Sequence, residues 1–220
     1  MTATHFEVLV EDLSGKVALE GILPHLSLCD VTYRIHSYRG IGRIPKGLTP
    51  GSDPRKRILL DQLPRLITGY GKTFADDPPT YSRFVVLICD LDTRDRNQFE
   101  SEISNAIAAC SPQPVTILCL SIEEGEAWLL GDIVAVTKAY PQINRNQLLS
   151  YIPDSICGTW EFMADLLEKG GAAALKKLGY PEIGQAKARW AAEIGALVDY
   201  TRSRSPSFIE FVEKIMQACA

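Results

Sequence analysis

The sequence predicts an α/β protein in which a mainly parallel sheet is flanked by helices and followed by an all-helical C-terminal part. Strand-like apolar runs alternate with helix-length segments in the first half of the chain, as in successive βαβ units. Residues 84–88 form an unbroken apolar run, which is typical of a strand buried on both faces of a parallel sheet. Farther on, the apolar spacing is helical. We therefore expect an α/β domain over residues 1–135 and a helical extension, packed on it, over 136–220.

Composition places the chain among ordinary globular proteins, with 46% hydrophobic and 23% charged residues. The first residues show neither the basic region nor the apolar run of a signal peptide, and no apolar run reaches the roughly 18 residues of a membrane span. The six cysteines lack CxxC spacing, which favours free thiols over disulfides or a zinc site. These features predict a cytoplasmic protein with no membrane partner.

The first predicted strand covers residues 7–10 and ends at Glu11 and Asp12. A helix is expected from residue 16 to about 28, with Pro24 kinking it or ending it early. This order puts Glu11 at the carboxyl edge of the sheet, where open α/β sheets bind ligands. Asp12 is explained without chemistry, as an acid near a helix N-terminus.

A basic arm follows. Residues 31–38 alternate between apolar and polar, as in an edge or half-exposed strand, and a long turn-rich loop comes next. In that loop Arg43 and Lys46 stand among glycines that can present backbone N–H groups to a phosphate, although no complete nucleotide-binding motif is present. The helix predicted over 55–67 starts with Arg-Lys-Arg, which opposes its dipole unless an anion lies close. We therefore expect Arg43 and Lys46 to bind a phosphate of the substrate.

Charge is segregated along the chain despite a net charge of only −4. Residues 31–72 carry nine Lys/Arg and two Asp, 9 − 2 = +7, whereas residues 73–132 carry three Arg and eleven Asp/Glu, 3 − 11 = −8. A basic arm beside an acidic cluster fits a phosphate-bearing substrate held next to a metal. Loose pairing of a solvated loop with an acidic surface explains the pattern equally well.

Asp90 and Asp92 follow the central strand. The strand period of two predicts that both side chains lie on the same side where the strand ends. Two carboxylates so close repel each other unless a cation lies between them, and Mg²⁺ binds through one or two carboxylates while keeping several waters. The alternative is that Asp92 opens a turn and Asp90 only marks the strand end.

The acids after the next strand have two explanations. Ser121 and Glu124 have the spacing of a capping box, which accounts for Glu123 and Glu124 as parts of a helix start. Glu126 is explained less well in this way, because it shares a turn with Trp128, which we expect to point inward. Glu126 is therefore a candidate site residue.

The other elements follow from apolar spacing and turn residues. A helix is expected over 97–109 and a strand over 115–120. C-terminal helices are predicted over residues 134–140, 159–167, 172–178, 187–200 and 207–219. The three tryptophans are expected in the core, and the three histidines are expected to be isolated and without a ligand: Trp128, Trp160 and Trp190; His5, His25 and His36.

Short motifs spread over most of the chain resemble a Toprim-like family of unknown function that is related to the Toprim parts of overcoming-lysogenization-defect nucleases. They are Glu11, the pair Asp90 and Asp92, the Glu-Gly-Glu-Ala-Trp-Leu run at 124–129 and Ser-Pro-Ser-Phe at 205–208. The resemblance implies a Toprim fold, which is Rossmann-like, and Mg²⁺ or Mn²⁺ as cofactor. It also implies phosphodiester chemistry, as in the better-known relatives.

The resemblance also implies roles for four acids. Asp90 and Asp92 match the metal-binding aspartates, Glu11 matches a glutamate that serves as metal ligand or general acid/base, and Glu126 matches a later acid that binds a second metal. The chain departs from the family where Asp12 follows the first glutamate and Lys16 lies near the usual position of another acid. A lysine there opposes a second metal, so one-metal binding is the firmer expectation.

Three functions compete at this stage. The first is a metal-dependent nuclease or related phosphoryl-transfer enzyme acting on DNA or RNA, with phage defence as its setting, Glu11 and Glu126 as catalytic acids and the four acids as metal ligands. The second is a non-catalytic module that senses nucleotides or nucleic-acid ends, alone or with a protein partner or a second copy of the chain. The third is a haloacid-dehalogenase-like phosphatase with Asp90 as nucleophile, for which Thr116 and Lys138 fit the later motifs poorly.

Overall fold

A computed structural model of the chain describes residues 3–26, 30–48, 53–155 and 158–220. The strands are β1 (Ala3–Val10), β2 (Val31–Ser37), β3 (Tyr81–Asp90) and β4 (Thr116–Ser121). The helices are α1 (Leu13–Ile22), α2 (Leu59–Phe74), α3 (Arg96–Ala108), α4 (Glu126–Leu130), α5 (Ile133–Ala139), α6 (Arg145–Ser150), α7 (Thr159–Leu167), α8 (Gly171–Leu178), α9 (Tyr180–Gly195) and α10 (Pro206–Ala218). The predicted end of the first helix near residue 28 and the cysteines at 29 and 157 lie outside the described residues.

The four strands form one parallel sheet in the order β2-β1-β3-β4. The predicted class, a parallel sheet flanked by helices with a helical C-terminal part, is confirmed. As the apolar run indicated, β3 is buried on both faces. Val86 and Ile88 belong to the core on one face, and Val85, Leu87 and Cys89 belong to the core on the other.

Two layers of helices cover the sheet. On one face α2 and α3 bury apolar side chains such as Leu63 and Ile103. On the other face a single hydrophobic cluster joins strand residues such as Val86 to Trp190 of α9 and Phe208 of α10. The C-terminal helices therefore share their core with the sheet. No helix among the described residues is both long and apolar enough to cross a membrane.

Helices α1 and α9 approach closely at two glycines. A Cβ atom added at Gly21 would lie 2.7 Å from the backbone nitrogen of Ala196 and 2.7 Å from the carbonyl carbon of Gly195. Only a residue without a side chain allows this approach of two backbones. The contact fixes the C-terminal end of α9 against α1, the helix that follows the first strand.

The first helix ends at Ile22 and passes into a 3₁₀ turn that contains Pro24, so the early end predicted at this proline is confirmed. The predicted start of the second helix is wrong. Helix α2 begins at Leu59, because Pro54–Lys56 form a separate 3₁₀ turn and Arg57 adopts a left-handed backbone with φ +55°. The Arg-Lys-Arg run therefore does not start a helix, and the argument for an anion at that position fails.

Candidate active site

The carboxyl ends of three neighbouring parallel strands bring the predicted site residues to one edge of the sheet. Glu11 follows β1, Asp90 ends β3, and Ser121 ends β4 opposite Asp90. The Ser121 hydroxyl donates a hydrogen bond to Oδ1 of Asp90. Asp12 accepts hydrogen bonds from the backbone of Gly15 and the hydroxyl of Ser14, so it is the N-cap of α1, in keeping with the non-chemical explanation.

Asp92 lies beyond the end of the strand and pairs with an arginine. The strand ends at Asp90, and Asp92 has a left-handed backbone with φ +48°, so the two-residue alternation no longer sets the direction of its side chain. Its amide donates to the carbonyl of Glu123 at 3.0 Å, which ties the turn after β3 to the turn after β4. The carboxylate is exposed and pairs with Arg94 at 2.7 Å. The prediction that Asp90 and Asp92 lie on the same side of the strand end assumed that the strand continues to Asp92, which it does not.

A small enclosed cavity of about 30 Å³ lies at this edge, lined among others by Glu11, Asp90, Ser121 and Glu126. Oε2 of Glu11 is buried and has no hydrogen-bond partner. A buried carboxylate oxygen without a partner is costly, and a space of this size holds one small polar species. Most of the other lining residues are apolar, such as Leu19 and Trp128, so the carboxyls of Glu11 and Asp90 lie beside a poorly solvated space in which a hydrogen-bond donor or a cation would stabilise them.

Glu11 and Asp90 perturb each other. Burial, followed by the charges of Asp92 and Asp12, raises the pKa of Glu11 to about 7. Burial and the neighbouring Glu11 raise the pKa of Asp90 well above its ordinary value, while the hydrogen bond from Ser121 opposes the rise. Two carboxyl groups in one poorly solvated site do not both ionise readily, so at neutral pH the pair retains a proton unless a cation enters.

A lysine from α9 enters the acidic edge. Nζ of Lys187 lies 3.1 Å from Oε2 of Glu126 and 3.9 Å from Oε2 of Glu124. Burial lowers the pKa of Lys187, whereas the carboxylates of Glu126, Glu124 and Asp12 raise it, and the carboxylates prevail. Burial raises the pKa of Glu126 and takes that of Glu124 to about 8. Lys187 thus neutralises the predicted second-metal ligand.

The capping-box explanation of Ser121 and Glu124 is wrong. Helix α4 begins at Glu126 with Gly125 as its N-cap, and the Ser121 hydroxyl is engaged by Asp90. Glu123 instead caps a distant helix, α7. Its carboxylate accepts hydrogen bonds from the backbone of Gly158 and from both the amide, at 3.0 Å, and the hydroxyl of Thr159.

A cleft of about 800 Å³ opens beside Glu11, between the sheet edge and helices α7 to α9. Its lining includes Glu11, Lys187, Arg39, Trp160, Lys176 and Tyr180. The predicted phosphate ligands Arg43 and Lys46 are exposed and do not line it. Asp61 accepts a hydrogen bond from the Arg43 backbone, which fixes the loop away from the edge, and Arg39 is the member of the basic arm that reaches the cleft.

The predictions for the tryptophans, histidines and cysteines are confirmed only in part. Trp128 and Trp190 are buried as predicted, whereas Trp160 is only half-buried and forms part of the cleft wall. His5 and His36 are not isolated, because both have Nε2 within 3.3 Å of the buried Glu7 carboxylate. Four cysteines are free thiols, as expected: Cys89, Cys110, Cys119 and Cys219.

The lysine at the acidic edge is Lys187, and not Lys16 as the sequence suggested. Lys16, the lysine near the first acid, pairs with Glu20 at 3.6 Å along α1. Lys187 lies far away in sequence and supplies the cation. The sequence around Lys187 does not predict its contact with Glu126. The contact is seen only once α9 is docked on α1 in the structure.

Within the described ranges, no three His, Cys, Asp or Glu side chains already form a group that could hold a metal ion. Comparison of the chain with family models, with curated proteins and with solved structures finds no match.

Proposed function

We propose that this protein is a divalent-metal-dependent phosphoryl-transfer enzyme, a nuclease acting on DNA or RNA, with Mg²⁺ or Mn²⁺ as cofactor. One observation carries the proposal: Glu11 and Asp90 meet in an enclosed cavity, and a buried carboxylate oxygen of Glu11 has no partner. The proposal includes the Toprim-like family suggested by the short motifs, and phage defence as the biological setting. So does a cytoplasmic location, which the free thiols fit.

The donor set fits a hard cation with few protein ligands. Mg²⁺ takes oxygen ligands and is commonly bound through one or two carboxylates, with waters and substrate phosphates completing its shell. Glu11 and Asp90 supply two such carboxylates beside a space of about 30 Å³. The lack of a preassembled group of three ligands among the described residues is compatible with a site of this kind.

Asp92 and Glu126 remain candidate ligands in the proposal, although each has a cationic partner. The charge of Asp92 raises the pKa of Glu11, and that of Glu126 raises the pKa of Asp90, so all four acids lie within electrostatic range. Arg94 and Lys187 would have to release them first. A single ion held by Glu11 and Asp90 is therefore the arrangement that we favour.

The protein's own groups have distinct tasks in this proposal. Glu11 lines both the small cavity and the open cleft, so its carboxylate could orient an attacking water or exchange a proton with it. Ser121 holds the orientation of Asp90, and Lys187 limits the repulsion among the acids. When bound, the metal would stabilise negative charge on the phosphoryl oxygens.

The second candidate, a metal-binding module without turnover, is favoured by the same ion pairs. With Lys187 on Glu126 and Arg94 on Asp92, two of the four acids are already neutralised, as in a site that recognises phosphates without cleaving them. Such a module would sense nucleotides or nucleic-acid ends, or join a protein partner or a second copy. Cation binding without cleavage of any nucleic acid would select it.

The decisive experiment compares wild type with Asp90→Asn. Thermal unfolding is measured with and without Mn²⁺, and cleavage is measured on single- and double-stranded DNA and RNA. We expect Mn²⁺ to raise the melting temperature and support cleavage in wild type, and to do neither in the variant. Asp95→Asn is the matched control, because Asp95 caps α3 on the exposed side of the same turn and should retain both responses. Equal responses of wild type and Asp90→Asn would refute the proposal.

A further inference from the structure

We propose that the cleft binds the end of a single nucleic-acid strand, with a base stacked on Tyr180 and its phosphates held by Arg39 and Lys176. The inference names the substrate class of the carboxyl-edge site and so rests on the proposed function. It is argued from the aromatic rings of the cleft, from the placement of its charges and from its size.

Tyr180 offers a bare aromatic surface. At 87% exposure it is the most exposed large hydrophobic side chain among the described residues, and it lies in the cleft lining at the start of α9. Trp160 forms another part of the wall, with Nζ of Lys176 at 5.4 Å from its ring centroid. Aromatic rings beside cations are the usual platform for bases of single strands, because every base has a π-face that can stack.

The cations of the cleft differ in how deeply they are buried. Lys187 is largely buried and pairs with Glu126, which lies outside the cleft lining, so that lysine is already engaged. The cleft wall also carries four acids, which any bound phosphate must avoid: Glu11, Asp12, Glu124 and Glu161. Arg39 and Lys176 are exposed, and the pairing of Lys176 with Glu161 at 3.1 Å is a partly solvated contact of small energy. These two exposed cations are available to a phosphate, which makes them better placed than Arg43 and Lys46.

Size restricts the ligand to a strand end or a nucleotide. A cleft of about 800 Å³ is within the roughly 300–1,000 Å³ of pockets that take small organic ligands, which is the size of one or two nucleotide units. Glu11 lines both the cleft and the small cavity with Asp90. A base on Tyr180 would therefore leave the neighbouring phosphodiester in the same cleft as the Glu11 carboxyl, the group that the cleft shares with the cavity of Asp90.

The test measures binding with EDTA present, so that no metal is needed. Short single-stranded DNA, single-stranded RNA and the matching duplexes are titrated into the protein, and fluorescence anisotropy of the labelled strand is followed. Tryptophan emission is a second readout, because Trp160 is the partly exposed tryptophan whereas Trp128 and Trp190 are buried. We expect single strands to bind more tightly than duplexes. We also expect them to quench the tryptophan emission of wild type, and to cause no such quenching in the Trp160→Phe variant.

Matched variants separate stacking from charge. Tyr180→Ala should weaken single-strand binding about 5- to 150-fold, the range for loss of one base–aromatic stack, whereas Tyr180→Phe should bind like wild type. Lys176→Ala should reduce the slope of log affinity against log salt by about 0.7, the value for one phosphate contact on a single strand. Lys177→Ala, on the same helix but outside the cleft lining, should leave the slope unchanged. All three positions are exposed, so melting temperatures should stay close to wild type.

The outcomes are distinguishable from those of the metal experiment. Three results would overturn the cleft inference. Tyr180→Ala could bind single strands as tightly as wild type, or the protein could prefer duplexes. The protein could also bind no strand and instead self-associate through Tyr180, so that Tyr180→Ala abolishes the self-association. A protein that Mn²⁺ stabilises through Asp90 but that binds no single strand would refute this inference and leave the proposed metal site standing. Single-strand binding through Tyr180 without any response to Mn²⁺ would support the cleft and refute the metal-dependent enzyme.

Discussion

Lys187 Nζ lies 3.1 Å from Oε2 of Glu126, which joins the helical C-terminal part to the acidic edge of the sheet through a largely buried ion pair. The side chain of Glu126 is only 4% exposed and that of Lys187 only 14% exposed, so water screens the pair little. Each partner therefore depends on the other.

Replacing Lys187 by Met should leave an uncompensated buried carboxylate. We expect the free energy of unfolding in metal-free buffer to fall by roughly 3 kcal/mol, measured by urea denaturation. Added Mn²⁺ should restore more stability to Lys187→Met than to wild type, because a cation can replace the lost ammonium. Lys16→Met is the control, since its pair with Glu20 is exposed and should contribute less than about 1 kcal/mol. Equal stability of wild type and Lys187→Met would contradict the role assigned to the pair.

Stability of the metal-free protein should decrease as the pH rises toward 8. Folding raises the pKa of Glu11 from 4.5 to about 7 and that of Glu124 to about 8, so the folded state binds protons more tightly than the unfolded state. This contribution is fully present below about pH 4.5 and is lost as the pH rises through the folded values. For Glu11 alone the change corresponds to roughly 3 kcal/mol.

Thermal unfolding at a series of pH values between about 5.5 and 8.5 tests this dependence. The Glu11→Gln variant, which has no carboxyl to ionise at that position, should show a flatter profile than wild type. Mn²⁺ should stabilise wild type more at the upper end of the range, where the carboxyls are free of protons. A melting temperature that rises with pH throughout the range would show that other groups dominate.

Glu123→Ala should loosen the start of α7. The variant loses the carboxylate that caps the Gly158 and Thr159 amides, and we expect a cost of about 1–2 kcal/mol. Since Trp160 is the next residue of α7, its fluorescence should shift toward that of a more solvated indole. Glu102→Ala, an exposed acid on α3, is the comparison and should change neither quantity.

Asp132→Ala should destabilise the fold without touching the candidate site. The buried Asp132 carboxylate accepts from the amides of Val134, Ala135 and Asp199, and it pairs with Arg202 at 2.9 Å. Loss of these partners should cost about 3 kcal/mol in the free energy of unfolding. The shift in melting temperature caused by Mn²⁺ should remain, and its disappearance would mean that the two regions are coupled.

Much of the fold was accessible from local patterns. The unbroken run before Asp90 predicted a strand buried on both faces, and the strand order placed Glu11 and Asp90 at the same edge. These predictions succeed because strand burial and the direction of parallel strands are written in short stretches of sequence.

The site was less accessible, because its decisive contacts join residues far apart in the chain. Glu123 caps a helix 36 positions later, and the cation beside Glu126 comes from α9. The direction of Asp92 depends on a left-handed backbone that the strand period does not anticipate. Trp160 has the apolar spacing of a core residue, yet it lies where the packing of α7 and α8 leaves an opening.

The close contact of α1 and α9 at Gly21 joins parts of the chain that are synthesised at very different times. A nascent chain that has left the ribosome up to residue 135 contains every acid of the carboxyl edge, but its counter-ion, at position 187, is not yet made. Glu124 and Glu126 therefore gain their ammonium partner only late in synthesis, when α9 docks on α1. A gene truncated after the sheet would encode these two acids without the lysine that pairs with them.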